Sequence, residues 1–252
     1  MKGNIKLILG DCITEMKTLQ DNSIDLIITS PPYFNLKEYS QWAKYDDYLL
    51  DIAKCFKELK RILKQGRHIA WNIQDNIPNP SKTLGRRYYA LMPDTIKIAQ
   101  GFGFEWERNI IWNKNNATQI MFGSMPFPPN MIYSCVTESI CIFRKPGKTD
   151  LSNKTEASKV PNKEWNVYKN NLWHIHPETH SSHPAAFPIE LPSRLIKMHS
   201  FVNDLVMDPY GGVFTTGVAC KELRRSFIGI EKNNSYFEIG KKRLANIIEP
   251  ML

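Results

Sequence analysis

The sequence predicts an α/β domain with a mostly parallel sheet and helices on both faces. Short apolar runs rich in β-branched residues alternate with longer amphipathic runs, the pattern of a layered α/β domain. The alternation recurs in both halves of the 252 residues, a length that suits one domain carrying an insertion. The apolar runs also stop at proline- or glycine-containing turns, where ligands of open α/β sheets bind.

Asn4 to Gly10 alternates as a strand and ends at Asp11, with a short helix expected from Ile13 to Leu19. Ile24 to Ile28 is too short for a helix and reads as a buried strand. It stops at Thr29-Ser30-Pro31-Pro32-Tyr33, because two prolines cannot continue a central ladder. Tyr45 to Lys64 is the strongest helix, with Leu49, Ile52, Phe56, Leu59 and Leu63 on one face, and Gly66 reads as its stop. A strand from His68 to Ile73, a helix from Tyr88 to Gln100, and strands Glu105 to Trp112 and Cys135 to Phe143 follow. From Pro146 to about Thr179 polar residues dominate, apart from Trp165-Asn166-Val167-Tyr168, as in an inserted loop or recognition element. Order resumes with a helix Ile189 to Met198, a strand Leu205 to Asp208, a helix Thr215 to Leu223, a strand Phe227 to Ile230 and a helix Tyr236 to Ile248. Residues 1–145 and 183–252 are thus expected to be two halves of one domain, and 146–182 an insertion.

Hydrophobic residues at 42% and charged residues at 23% are ordinary globular values. No run approaches the roughly 18 apolar residues of a membrane span, and the first residues lack a signal-peptide apolar stretch. Five cysteines, an odd number without a C-x-x-C pair, point to a reduced, cytoplasmic protein. His174, His176, His180 and His183 lie close together, yet no cysteine is near and their spacing matches no zinc module, so no metal is expected. The net charge of +8 favours a polyanionic partner.

The strongest ligand signal lies near the C-terminus. Asp204 to Asp208 is a strand that delivers an acidic residue into Pro209-Tyr210-Gly211-Gly212, and Thr215-Thr216-Gly217 then opens a helix. The next strand ends in Gly229-Ile230-Glu231, where a carboxylate can accept both hydroxyl protons of a ribose. Neither G-x-x-x-x-G-K-[ST] nor G-x-G-x-x-G is present. The pattern suits an adenosine-bearing cofactor; a plain β-turn-α without a ligand stays open on these residues alone.

Thr29-Ser30-Pro31-Pro32-Tyr33 resembles the catalytic [DNS]-P-P-[YFW] motif of DNA methyltransferases that act on exocyclic amines. Asp208-Pro209-Tyr210-Gly211-Gly212 with Thr215-Thr216 resembles their D-P-F-x-G-S-G-T-T cofactor motif, and His183-Pro184-Ala185-Ala186-Phe187-Pro188 the segment before it. Ile111-Trp112-Asn113-Lys114 and Glu138-Ser139-Ile140 resemble later sheet motifs of the same family. The catalytic motif precedes the cofactor motif, which is the permuted order of the beta class. The resemblance implies a Rossmann-like methyltransferase sheet, circularly permuted, with a small target-recognition insertion in place of 146–182. One departure stands out. Val213-Phe214 replaces the family's Ser-Gly, and the missing glycine either crowds the methionine end of the cofactor or forces another turn.

The implied cofactor is S-adenosylmethionine and the implied partner duplex DNA, with a cognate restriction endonuclease and a homodimer as further partners that such enzymes admit. The resemblance assigns catalysis to Ser30, Pro31, Pro32 and Tyr33: hydroxyl and carbonyl accept the amine protons, and the ring stacks on a flipped base. It assigns cofactor binding to Asp11, Phe187, Asp208, Pro209, Tyr210, Gly211, Gly212, Thr215, Thr216 and Glu231. For Asp208 a turn-capping role, and for Phe187 an ordinary core position, stay open. Thr215 and Thr216 are expected to cap the helix that they open. Lys82, Arg86 and Arg87 are candidates for phosphate contacts. Trp165, Tyr168 and Trp173 fit either DNA recognition or packing of the insertion. No Pro-Cys pair is present, which disfavours carbon-5 methylation of cytosine. Ser rather than Asp before Pro-Pro favours cytosine N4, with adenine N6, RNA or protein as the acceptor, or a catalytically silent DNA-binding relative, as the alternatives.

Overall fold

The computed structural model describes residues 3–36, 42–75, 89–114, 136–177 and 187–247. Eight strands form one sheet: β1 (Ile5–Leu9), β2 (Ile24–Thr29), β3 (Leu63–Ile73), β4 (Glu105–Asn113), β5 (Thr137–Arg144), β6 (Leu172–His174), β7 (Leu205–Asp208) and β8 (Ser226–Glu231). Their spatial order is β1-β8-β7-β2-β3-β5-β4-β6. β5 runs antiparallel to β3 and β4, and every other neighbouring pair is parallel. Helices α1 (Cys12–Met16), α2 (Tyr45–Ile62) and α3 (Leu91–Gly101) cover one face; α5 (Glu190–His199), α6 (Thr215–Glu222) and α7 (Asn234–Ala245) cover the other. The short α4 (Asn162–Tyr168) precedes β6.

Side-chain alternation along the strands builds two cores. Ile27 of β2, Ile69 and Trp71 of β3 and Met207 of β7 pack under α1–α3, whereas Leu26 and Ile28, Ala70 and Val206 pack under α5–α7. α2 carries Asp46 and Asp47 in its first turn and Lys60 and Arg61 in its last, matching the helix dipole. At the amino ends of the central strands Arg67 pairs with Asp204 at 2.9 Å and with Asp25 at 3.2 Å, all nearly buried. Asp25 also accepts from the Leu205 N–H at 3.0 Å. This brace locks β2, β3 and β7 together at the end opposite the candidate site.

Gly66 does not end α2. The helix stops at Ile62 and the chain enters β3 at Leu63, which is fully buried and registers with Ile24. Burial of Leu63 in the sheet outweighs continuation of the helix, and the residues before His68 are absorbed as an irregularity between Ile24 and Leu26. Gly66 lies inside that irregularity with φ +71°, and a β-carbon there would stand 2.6 Å from the Thr149 nitrogen.

The polar stretch after Pro146 also joins the sheet, since β6 pairs in parallel with β4 through Ile111–Leu172, Trp112–Trp173 and Asn113–His174. Trp173 is buried and donates to the Tyr168 carbonyl at 3.2 Å, and Arg194 stacks over both the Tyr168 and Trp173 rings. Packing therefore accounts for Tyr168 and Trp173; Trp165 remains 45% exposed. No helix among the described residues is long and apolar enough to cross a membrane.

Candidate active site

The two sequence motifs meet at the carboxyl ends of neighbouring strands. β2 and β7 are in register through Leu26–Val206 and Ile27–Met207, so their last residues, Thr29 and Asp208, come side by side. Thr29 Oγ1 donates to Asp208 Oδ1 at 2.7 Å, across 179 residues of sequence. Ser30-Pro31-Pro32-Tyr33 leaves β2 from this point, and Pro209-Tyr210-Gly211-Gly212 leaves β7 from the same point.

Asp208 is 2% exposed, and its other partners are the Thr216 hydroxyl at 2.8 Å and the Tyr210 N–H at 3.1 Å. All of these donors are neutral. Burial pushes its carboxyl up to about 6, with the Glu231 charge adding to the rise and the hydrogen bonds opposing it. A buried carboxylate held by neutral donors suits a bound cation. The Tyr210 bond shows that Asp208 caps the turn.

β8 lies between β1 and β7, which brings Glu231 and Asp11 to the same sheet end. Glu231 Oε2 accepts from the Gly212 N–H at 2.7 Å and Oε1 from the Asn233 N–H at 2.6 Å. Each carboxylate oxygen retains a lone pair for a further donor. Gly212 has φ +53°, a conformation that a side chain would strain. Asp11 caps α1 by accepting from the Ile13 and Thr14 N–H groups at 3.1 and 3.2 Å, and Lys232 stands 3.7 Å away.

One expectation changes in detail. The N-cap of α6 is Phe214, with no side-chain capping bond, so neither threonine caps the helix. Thr216 turns to Asp208, and Thr215 accepts from Arg243 at 2.8 Å, because the left-handed Phe214 carries the chain into the helix without needing a hydroxyl. Tyr210 packs beside Trp71, Cys12 and Cys55, and burial pushes its phenol well up. Phe187 is 9% exposed and packs within the core under α5–α7.

Phe214 meets the Val213-Phe214 departure by keeping a glycine-type backbone conformation and burying its side chain. It adopts φ +55°, ψ +42°, the conformation for which glycine is suited. Its ring is fully buried and packs against Phe227 and Phe237. Glycines make the space: a β-carbon would stand 2.4 Å from this ring at Gly211, 2.7 Å at Gly229 and 2.5 Å at Gly240.

Around Ser30 lies a polar network beyond the motif itself. Asn72, 3% exposed, occupies the same face of β3 as Ala70, and Glu138 heads β5 opposite Trp112. Asn72 Nδ2 lies 3.3 Å from Ser30 Oγ, 3.2 Å from the Tyr33 hydroxyl and 2.5 Å from Glu138 Oε2. Tyr33 donates to Glu138 Oε2 at 2.8 Å, and Ser30 Oγ stands 3.2 Å from the Tyr33 oxygen. Lys114 pairs with Glu138 and reaches Gln74 Oε1 at 3.3 Å. The motif resemblance contained Lys114 and Glu138 without a role; Asn72 carried the only independent signal, a polar residue inside an apolar strand. Phe34, directly after the motif, anchors the loop among Tyr45, Tyr48 and Tyr89.

Lys82, Arg86 and Arg87 lie outside the described residues, as do His180, His183 and Cys135. Among the described residues no three His, Cys, Asp or Glu side chains cluster as metal ligands would.

A family model described as DNA methylase, of N6/N4 type, matches residues 24–242. The chain is 31% identical over 258 residues to the type II beta methyltransferase M.BslI of Bacillus sp. (strain NEB-606). That match covers 96% of the chain but only 28% of the length of M.BslI. The structure of a candidate DNA modification methylase from Thermus thermophilus, complexed with S-adenosyl-L-methionine, superposes with a TM-score of 0.81 at 28% identity, covering 95% of this chain and 93% of that one. The cytosine-N4-specific PvuII DNA methyltransferase shares the fold, with a TM-score of 0.71 at 19% identity over 99% and 90% of the two chains.

Proposed function

The chain belongs to the N6/N4 DNA methylase family, and from that premise we propose that it transfers a methyl group from S-adenosylmethionine to the exocyclic N4 amine of cytosine in duplex DNA. The carrying observation is the Thr29–Asp208 hydrogen bond, which ties the proline loop to the cofactor-type turn at the carboxyl ends of neighbouring strands.

S-adenosylmethionine supplies an electrophilic methyl group on a sulfonium. Asp208 offers that cation a buried anionic partner, Glu231 offers lone pairs to ribose hydroxyls, and Asp11 retains acceptor capacity toward an adenine amine. Gly211 and Gly212 let the backbone come close. The acceptor amine of cytosine is a poor nucleophile because its lone pair is delocalised into the ring. Ser30 Oγ and the Pro31 carbonyl accept its protons and favour the pyramidal, cation-like geometry of transfer, and Pro32 fixes the direction of that carbonyl. Tyr33 presents its ring to a base rotated out of the stack, with its hydroxyl anchored on Glu138. Lys82, Arg86, Arg87 and the net positive charge serve the phosphate backbone.

Ser30 supports cytosine N4 over adenine N6, since it offers a neutral acceptor where adenine enzymes usually carry Asp. Tritiated methyl transfer to unmethylated duplex DNA, followed by digestion and nucleoside chromatography, tests the whole reading. N4-methylcytosine is expected; N6-methyladenine would overturn the base assignment, and no incorporation would overturn the activity.

A further inference from the structure

A serine hydroxyl can either accept from the target amine or donate toward it, and only the first orientation assists methyl transfer. In this chain the orientation is set by neighbours. Tyr33 has a single hydroxyl proton, and it goes to Glu138 Oε2 at 2.8 Å. Burial, then the Glu138 charge, push the Tyr33 phenol well above its ordinary value, so it keeps that proton. The Tyr33 oxygen is thereby left as an acceptor toward Ser30 Oγ, 3.2 Å away. Asn72 Nδ2 approaches Ser30 Oγ at 3.3 Å as a donor, which closes off a second direction for the serine proton. Lys114 balances the Glu138 charge from the far side, and Gln74 holds Lys114.

We infer that Glu138 is a positioning residue for the transfer reaction: through Tyr33 it turns the Ser30 proton toward the Tyr33 oxygen, so that Ser30 Oγ meets the amine with a lone pair. The inference rests on the methyltransferase reading above and adds a role for three side chains outside the Ser-Pro-Pro-Tyr motif. Glu138 supplies the direction, Asn72 enforces it and Lys114 makes the buried charge tolerable. No proton is transferred along the chain; the hydroxyls are only aligned.

The test uses the full chain with S-adenosyl-L-[methyl-³H]methionine and unmethylated bacterial genomic DNA under single-turnover conditions, with cofactor affinity measured separately by calorimetry. Glu138→Gln keeps the shape but removes the anion, and Tyr33→Phe keeps the ring but removes the relay. Each is expected to slow transfer roughly 10- to 100-fold with the cofactor Kd within about two-fold of wild type. In a Ser30→Ala background, where the aligned lone pair no longer exists, neither substitution should slow transfer further; a merely structural role would not produce that non-additivity. Losses that multiply in the Ser30→Ala background, or wild-type rates in Tyr33→Phe, overturn the inference while leaving the activity intact. If Glu138→Gln fails to melt cooperatively, the Tyr33→Phe pair decides alone. A wild-type chain that transfers no methyl group overturns the functional reading, and the inference with it.

Discussion

Replacing Phe214 by glycine restores the family's residue at a left-handed position, yet the structure predicts that it will harm the protein. Two terms oppose each other. Glycine relieves the strain of φ +55° on a residue with a β-carbon, about 1–2 kcal/mol. Against this, the fully buried ring that packs on Phe227 and Phe237 disappears, and emptying a phenylalanine site costs about 3–5 kcal/mol. The net loss is about 1–4 kcal/mol. For a chain of 252 residues that lowers Tm by roughly 2–15 °C. The ring lies beneath the turn, among Gly211, Gly229 and Gly240, so its removal should also loosen the turn and weaken cofactor binding. Thermal and urea melts of wild type and Phe214→Gly, with and without S-adenosylmethionine, measure both effects. Gly211→Ala adds a control: its β-carbon would stand 2.4 Å from the Phe214 ring, so it should destabilise wild type much more than Phe214→Gly. An unchanged or raised Tm together with tighter cofactor binding would refute the reasoning and show that the phenylalanine crowds the cofactor.

Asp208→Asn should separate stability from function: by removing a buried charge held at about 6 it should gain up to about 3 kcal/mol at pH 8, while the Tm rise produced by S-adenosylmethionine should vanish. A lower Tm in the ligand-free variant would contradict the assigned charge penalty. Between pH 3.8 and about 6 the folded chain holds a proton on Asp208 that the unfolded chain has released, so this group's contribution to ligand-free stability rises as pH falls through that window. Cofactor affinity should move the opposite way and drop as pH falls below about 6, an inflection that calorimetry should find in wild type and miss in Asp208→Asn. Neutralising Lys82, Arg86 or Arg87 should weaken duplex binding equally for all sequences and reduce the salt slope by about 1 per residue; an unchanged slope would remove that residue from the phosphate contacts. Ser30→Ala should slow methyl transfer and leave cofactor Kd unchanged; wild-type turnover would exclude Ser30 from the chemistry.

The layered fold was legible because burial on both faces of a sheet leaves near-continuous apolar runs such as Ile24 to Ile28, interrupted by Asp25, which a reader can tell from the amphipathic face of α2. The motifs pointed to the candidate site for a similar reason: a strand that ends in Ser-Pro-Pro-Tyr or Asp-Pro-Tyr-Gly-Gly announces a loop where the backbone must leave the ladder. What stayed hidden depends on tertiary balance. Gly66 has the composition of a helix stop, but the burial of Leu63 decides where α2 ends. The polar stretch after Pro146 hides a three-residue edge strand, because its pairing energy comes from β4 and its burial from Arg194 stacking on Tyr168 and Trp173. Asn72 and Glu138 stand on β3 and β5 and Lys114 directly follows β4, so nothing in local spacing relates them; only the pairing of these strands brings them together.

The permuted order of the motifs has a simple physical basis in this sheet. Methyl transfer requires the acceptor loop and the cofactor turn to face one another, and that depends on which strands are neighbours, not on which comes first along the chain. β7 arrives late in the chain, but parallel pairing inserts it between β2 and β8, next to the strand that carries the proline loop. Its placement is enforced at both ends. At the amino end Arg67 and Asp25 hold Asp204 and Leu205; at the carboxyl end Thr29 holds Asp208. A slip of one residue between β2 and β7 would turn Val206 and Met207 to the wrong faces and break both sets of contacts together. The register that buries the core is therefore the same register that bonds Thr29, next to Ser30, to Asp208, and stability and the geometry of the candidate site cannot be varied independently at this pair of strands.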